Sequence, residues 1–174
     1  MPDRVIEEEV NEVPELDETL ESVLVYALEE AREKMSEGGD VVPFTALVVK
    51  ENLFIETHPG DSAEACFAAA RHTVEGARGA GAYAFCYDGY VDTDAGQQDA
   101  IIAEGGLPGE SDGVAVALLY KVDGDTLTFE DDPAYVGPAP NFMEKLKEPT
   151  DEDVAAFEEA NEDKFEPGDE DEAE

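Results

Sequence analysis

An α+β fold, with one mainly antiparallel sheet of about five to six strands and two main helices packed on it, is predicted by three observations. Apolar residues recur at three- and four-residue spacing in two separate stretches. Short β-rich runs follow each stretch, bounded by Gly, Pro, Asn and Asp. The links between successive runs are of hairpin length, which dictates antiparallel pairing. The expected order is α-β-β-α-β-β-β-β, followed by short C-terminal helices.

The first helix starts near Asp17. Leu20, Val23, Leu24, Ala27, Leu28, Ala31 and Met35 form its apolar face, and Gly38-Gly39 supplies the stop. Pro43 to Val49 and Leu53 to Thr57 read as a hairpin turning at Lys50-Glu51-Asn52, with Asn52 available for a left-handed position. Asp61, with Glu64 three residues on, has the spacing of a helix cap. The helix it opens carries Ala63, Cys66, Phe67, Ala70, Val74 and Ala77 on one face and closes at Gly76 to Gly79.

Four strands are expected next: Ala82 to Val91, Asp99 to Glu104, Gly113 to Val122 and Thr126 to Phe129. Asp94-Ala95-Gly96 and Asp123-Gly124 are the hairpin signals, and Gly105 to Gly109 reads as a loop. Pro133, Pro138 and Pro140 mark irregular chain, Asn141 caps a short helix to Lys147, and residues 151–160 offer a second with Val154 and Phe157. The domains read as a flexible acidic arm (1–13), a single α+β domain (14–147) and an acidic, largely disordered tail (148–174).

Charge narrows the function. Ten Lys and Arg stand against 46 Asp and Glu, a net of −36, and the excess pervades the chain. Such a field repels phosphate backbones and anionic membranes, so no nucleic acid and no membrane is expected as a partner. It suits a protein partner with a basic surface, or solubility in high salt, although Glu outnumbers Asp by 28 to 18. Cys66 and Cys86 stand among apolar neighbours with no CxxC pair, which reads as buried free thiols in a reducing compartment, the cytoplasm. The N-terminus has neither the basic nor the apolar region of a signal peptide. Oligomeric state is left open.

The densest set of candidate binding residues lies between Tyr83 and Glu104. Strand alternation puts Tyr83, Phe85 and Tyr87 on one face, and Asp88, Asp99 and Glu104 are the acids available to a metal or substrate. The opposing reading has aromatics packing a sheet and acids standing at turns and strand ends. Asp92 to Gly96 opens like a calcium loop, but its fifth, sixth and twelfth positions hold Gly96, Gln97 and Ala103. Gly96 to Ala103 with Asp123 to Glu130 is similar to pieces of the PD-(D/E)xK nuclease core. That likeness would make Asp99 and Glu130 metal ligands, yet Asp132 occupies its lysine position. His58 and His72 have no ligand spacing, and neither cysteine has an electropositive setting. No nucleotide-binding or hydrolase-elbow motif occurs.

The element order over roughly residues 17–122 resembles the roadblock/longin-like arrangement, a small sheet with two or three helices. That resemblance is carried by no motif and implies a scaffold or regulatory dimer. The sequence thus favours a non-catalytic interaction or accessory domain with no cofactor and no catalytic or metal residues. The alternative is a metal-dependent hydrolase using carboxylates of the 83–104 hairpin.

Overall fold

Asp17 opens the first helix because its short carboxylate can satisfy amides that have no helical partner: Oδ2 accepts from the N–H groups of Thr19 (2.9 Å) and Leu20 (3.2 Å). A computed structural model describes residues 4–5, 17–50, 52–93, 96–130 and 133–160. Its elements are β1 (Arg4–Val5), α1 (Glu18–Ser36), β2 (Phe44–Val49), β3 (Asn52–Thr57), α2 (Ala63–Glu75), β4 (Ala82–Thr93), β5 (Gly96–Gly106), β6 (Asp112–Asp123), β7 (Thr126–Phe129), β8 (Ala134–Pro140) and α3 (Asp151–Ala160). At the end of α1, Gly38 takes φ 91°, and the Gly38 and Gly39 amides donate to the carbonyls of Met35 and Lys34. This is the glycine stop that the sequence offered.

The strands form one sheet in the order β3-β2-β4-β5-β6-β7, with β1 joining β4 and β8 joining β6. All pairings are antiparallel except the short β1–β4 contact, which lies within the expected N-terminal arm. The apolar stripe of α1 packs on one face with Ala84, Cys86, Ile101 and Leu118. Ala70 and Val74 of α2, Val154 of α3 and Phe142 cover the other, over Tyr83, Phe85 and Tyr87. The α+β class and the order of the main elements are as the sequence predicts.

Several details differ. Ser62, and not Asp61, caps α2, because its Oγ lies where it can accept from the Ala65 amide at 3.1 Å. In the first hairpin Val49 pairs with Asn52, so the left-handed position falls on Lys50 (φ 59°) and Asn52 belongs to the strand. A one-residue slip would turn buried Leu47 and Val49 to the opposite face, so burial fixes this register. Asp123 pairs with Thr126, which moves the last turn to Gly124-Asp125. Asp94 and Ala95 lie outside the described residues, but Thr93 pairs with Gly96 and the second hairpin starts its return strand there.

The largest departure is β8, in chain that three prolines had marked as irregular. It pairs with the first half of β6 across a bulge between Ala115 and Val116. Proline removes a ladder donor only where the N–H would face a partner, so an edge strand with a bulge tolerates it. The short helix expected at 141–147 is instead a run of turns. There Asn141 Oδ1 accepts from the Met143 amide (2.9 Å) while Nδ2 donates to the carbonyls of Leu107 (2.8 Å) and Glu110 (2.7 Å). The helix offered at 151–160 is present as α3. Buried Val154, and Phe157 edge-on to Phe54 at 4.9 Å, carry packed structure past the boundary at residue 147. Residues 161–174 lie outside the described part.

Candidate functional site

Alternation along β4 turns Tyr83, Phe85 and Tyr87 toward α2, and Ala84, Cys86 and Asp88 toward α1. The register with β5 then assigns the acids. Glu104 stands opposite Phe85 and joins the aromatic face, whereas Asp99 stands opposite Tyr90 and joins the face of Asp88. The sheet backbone therefore separates the three candidate carboxylates into a pair and a single. Among the described residues no group of three or more His, Cys, Asp or Glu side chains is placed to hold a metal ion.

On the α2 face, Glu104 is 1% exposed, and the Tyr87 hydroxyl donates to its Oε2 at 2.5 Å. A carboxyl group taken out of water needs such compensation. Tyr83 is fully buried and holds a different segment. Its hydroxyl accepts from the Phe142 amide (3.0 Å) and donates to the Pro140 carbonyl (3.3 Å), while its ring stacks on Phe142 at 5.5 Å. Burial pushes the Tyr83 phenol well above its ordinary value, so the hydroxyl stays protonated. Both tyrosines are buried; Tyr87 ties the two strands of the hairpin together, and Tyr83 ties the hairpin to the segment at Pro140–Phe142.

On the α1 face, Tyr120 donates to Asp88 Oδ1 at 2.6 Å from the neighbouring strand pair. Asp88 lies at the rim. Burial raises its pKa, the Tyr120 hydroxyl opposes that shift, and the carboxylates of Asp99 and Asp40 add to it. The Tyr120 phenol is also pushed up, by burial and then by Asp88. Cys86 is fully buried beside the Ala27 carbonyl, 3.6 Å away, and burial with the nearby Asp88 pushes its thiol far up. Such a thiol is a poor nucleophile. His58, expected at a strand end, is 4% exposed, with Nε2 3.0 Å from Thr45 Oγ1; burial lowers its pKa and Glu56 acts against that. His72 is exposed on α2.

No protein-family model, no curated protein and no solved structure matches this chain. The likeness in element order to roadblock/longin-like domains thus has no structural match beside it.

Open space lies elsewhere, around residues that the sequence did not single out. A cavity of about 620 Å³ is lined by Lys50, the glycines Gly79 and Gly81, Glu110 and the first residues of α1 and α3. Two further hollows, of about 470 and 160 Å³, lie between α1 and β3. One signal for the latter was present in the sequence. Tyr26 flanks the buried stripe of α1, and Leu53 and Ile55 alternate on a strand whose outer neighbour is missing among the described residues.

Proposed function

We propose that this chain is a non-catalytic interaction domain that presents an acidic surface to a protein partner with a basic one. The observation that carries the reading is the division of the Tyr83–Glu104 hairpin. Tyr83 and Tyr87 are spent on internal hydrogen bonds, and the candidate acids face opposite sides of a sheet. What remains for solvent is a charge that ten bases cannot neutralise against 46 acids. The same field weighs against nucleic acid and anionic membrane as partners. Among the described residues no helix is long and apolar enough to cross a membrane. Two buried free thiols fit the reducing, cytoplasmic setting expected above.

Affinity capture from native lysate at about 0.05 M and about 0.5 M salt, followed by reconstitution of the retained protein with the purified chain, tests this. The expected result is one basic protein, bound stoichiometrically at low salt and released at high salt. Failure to reconstitute any such pair would overturn the reading.

The metal-dependent alternative draws on one observation: Asp88 and Asp99 are diagonal neighbours on one face, with Tyr120 hydrogen-bonded to Asp88. A ligand that binds only the folded state raises its stability by mass action. Millimolar Mg²⁺ or Mn²⁺ is expected to stabilise wild type no more than Asp99→Ala. A stabilisation confined to wild type would move the assignment to the enzyme.

A further inference from the structure

Helix α1 packs chiefly over β4 and β5, with its axis to one side of the β2–β3 pair. Under α1, Ala84, Cys86 and Ile101 are fully buried. On the same face, Val48, Leu53 and Ile55 of β2 and β3 are only partly covered. Phe44 and Ala46, the other β2 residues of this face, are already buried, so the open floor is β3 with Val48 at the end of β2, little more than one strand spacing of about 4.8 Å wide. A helix resting on this floor and leaning on α1 would lie at a normal helix–helix distance of about 8–10 Å from it. The wall is one row of α1 at four-residue intervals, Glu18, Ser22, Tyr26, Glu30 and Lys34. At about 1.5 Å per residue it runs for about 24 Å, the length of a helix of about 16 residues.

We propose that this groove between α1 and β3 receives a basic amphipathic helix of the partner protein, laid alongside α1. The inference rests on the interaction reading above and names the surface and the partner element. An apolar floor requires an apolar face on the occupant, with anchors at helical spacing. Glu18 and Glu30 on the wall admit cations on its flank, and the surrounding field of −36 favours them. A second copy of this chain would bring the same net charge, and repulsion opposes that pairing. Lys50 lines the same hollow as Glu18 and Lys34 the same hollow as Glu30, so the preference for a basic occupant comes from the net charge of −36 around the groove and not from its lining.

The probe is a synthetic Leu/Lys peptide of about 16 residues, with leucines at helical spacing and lysines elsewhere. It is compared with a same-composition peptide of scrambled spacing. Binding is read by fluorescence anisotropy against the full chain, its Ser22→Arg variant and its Val122→Arg variant. Ser22 is exposed on the groove wall, and Val122 is 61% exposed near the other edge of the sheet, so the two variants add the same charge in different places. Micromolar binding is expected, about tenfold or more weaker for Ser22→Arg and for the scrambled peptide, and nearly unchanged for Val122→Arg.

Equal affinity in both variants would mean that the peptide rides the general acidic field. The groove would then be wrong while the interaction reading stood. Equal binding of the scrambled peptide would remove the helix. Self-association of the chain that is lost in Ser22→Arg would make a second copy the occupant and overturn the basic partner. No binding of either peptide would also overturn the groove, and the capture experiment, which requires no groove, would then decide the interaction reading alone.

Discussion

Glu104 and Asp88 are sixteen positions apart in one hairpin and meet different fates because a strand turns alternate side chains to opposite faces. Glu104 is enclosed with Tyr87, and the cost of burying it is offset in part by the Tyr87 hydroxyl. Tyr87→Phe is expected to destabilise the fold by about 1–3 kcal/mol, the usual cost of removing a partner from a buried polar group. A urea midpoint unchanged from wild type would contradict that role. Asp88 bears on pH. Burial raises its pKa, and a carboxyl that holds its proton more tightly when folded contributes stability below its unfolded pKa. That contribution is lost as pH rises through the folded value. Between about pH 7 and about pH 4, wild type is therefore expected to gain stability relative to Asp88→Asn, whose amide does not titrate. Parallel pH profiles for the two proteins would refute the shift.

At the scale of elements, the packing at the ends of β5 and β6 leaves no space for side chains. A Cβ at Gly106 would lie 2.4 Å from Asn141 Oδ1, and one at Gly105 would lie 2.2 Å from the Tyr83 carbonyl oxygen. Gly106→Ala is expected to cost about 1–3 kcal/mol through overpacking, and Asn141→Ala a similar amount through the carbonyls of Leu107 and Glu110 that it leaves. Because the second substitution removes the atom that obstructs the first, the double variant is expected to lose less than the sum. Additive losses in urea unfolding would mean that the two positions do not press on each other. The helices and hairpins were legible in the sequence because their signals are local: periodicity, caps and two-residue turns. β8 was not, since its strand character comes from β6 about twenty residues earlier and from an edge position where proline is harmless. The candidate site was half legible. Alternation assigned Tyr83 and Tyr87 to one face, but starting the return strand at Asp99 in place of Gly96 lost the register that sets Glu104 opposite Phe85. Asn141 was read as a helix cap, and its bonds to Leu107 and Glu110 depend on a loop more than thirty residues away.

For the molecule as a whole, charge dominates. The ion pairs Arg32–Glu29 and Arg71–Glu75 join neighbours on single helices at the surface, where such pairs contribute a few tenths of a kcal/mol. With 46 acids and ten bases, most carboxylates face only others of their kind. Folding brings them closer together than an expanded chain requires, so self-repulsion opposes the native state and is relieved by whatever screens or binds the surface. A basic partner and added salt act here through the same physics. At about 0.01 M salt the Debye length of roughly 30 Å spans a domain of this size, and at about 1 M it falls to roughly 3 Å. The most direct measurement is urea unfolding at constant pH across an NaCl series, urea being chosen because it adds no ions. A midpoint that rises with salt, most steeply at the low end, is the predicted result. A flat or falling midpoint would mean that the acids are already compensated within the folded chain, and the uncompensated acidic surface offered to a partner would not exist.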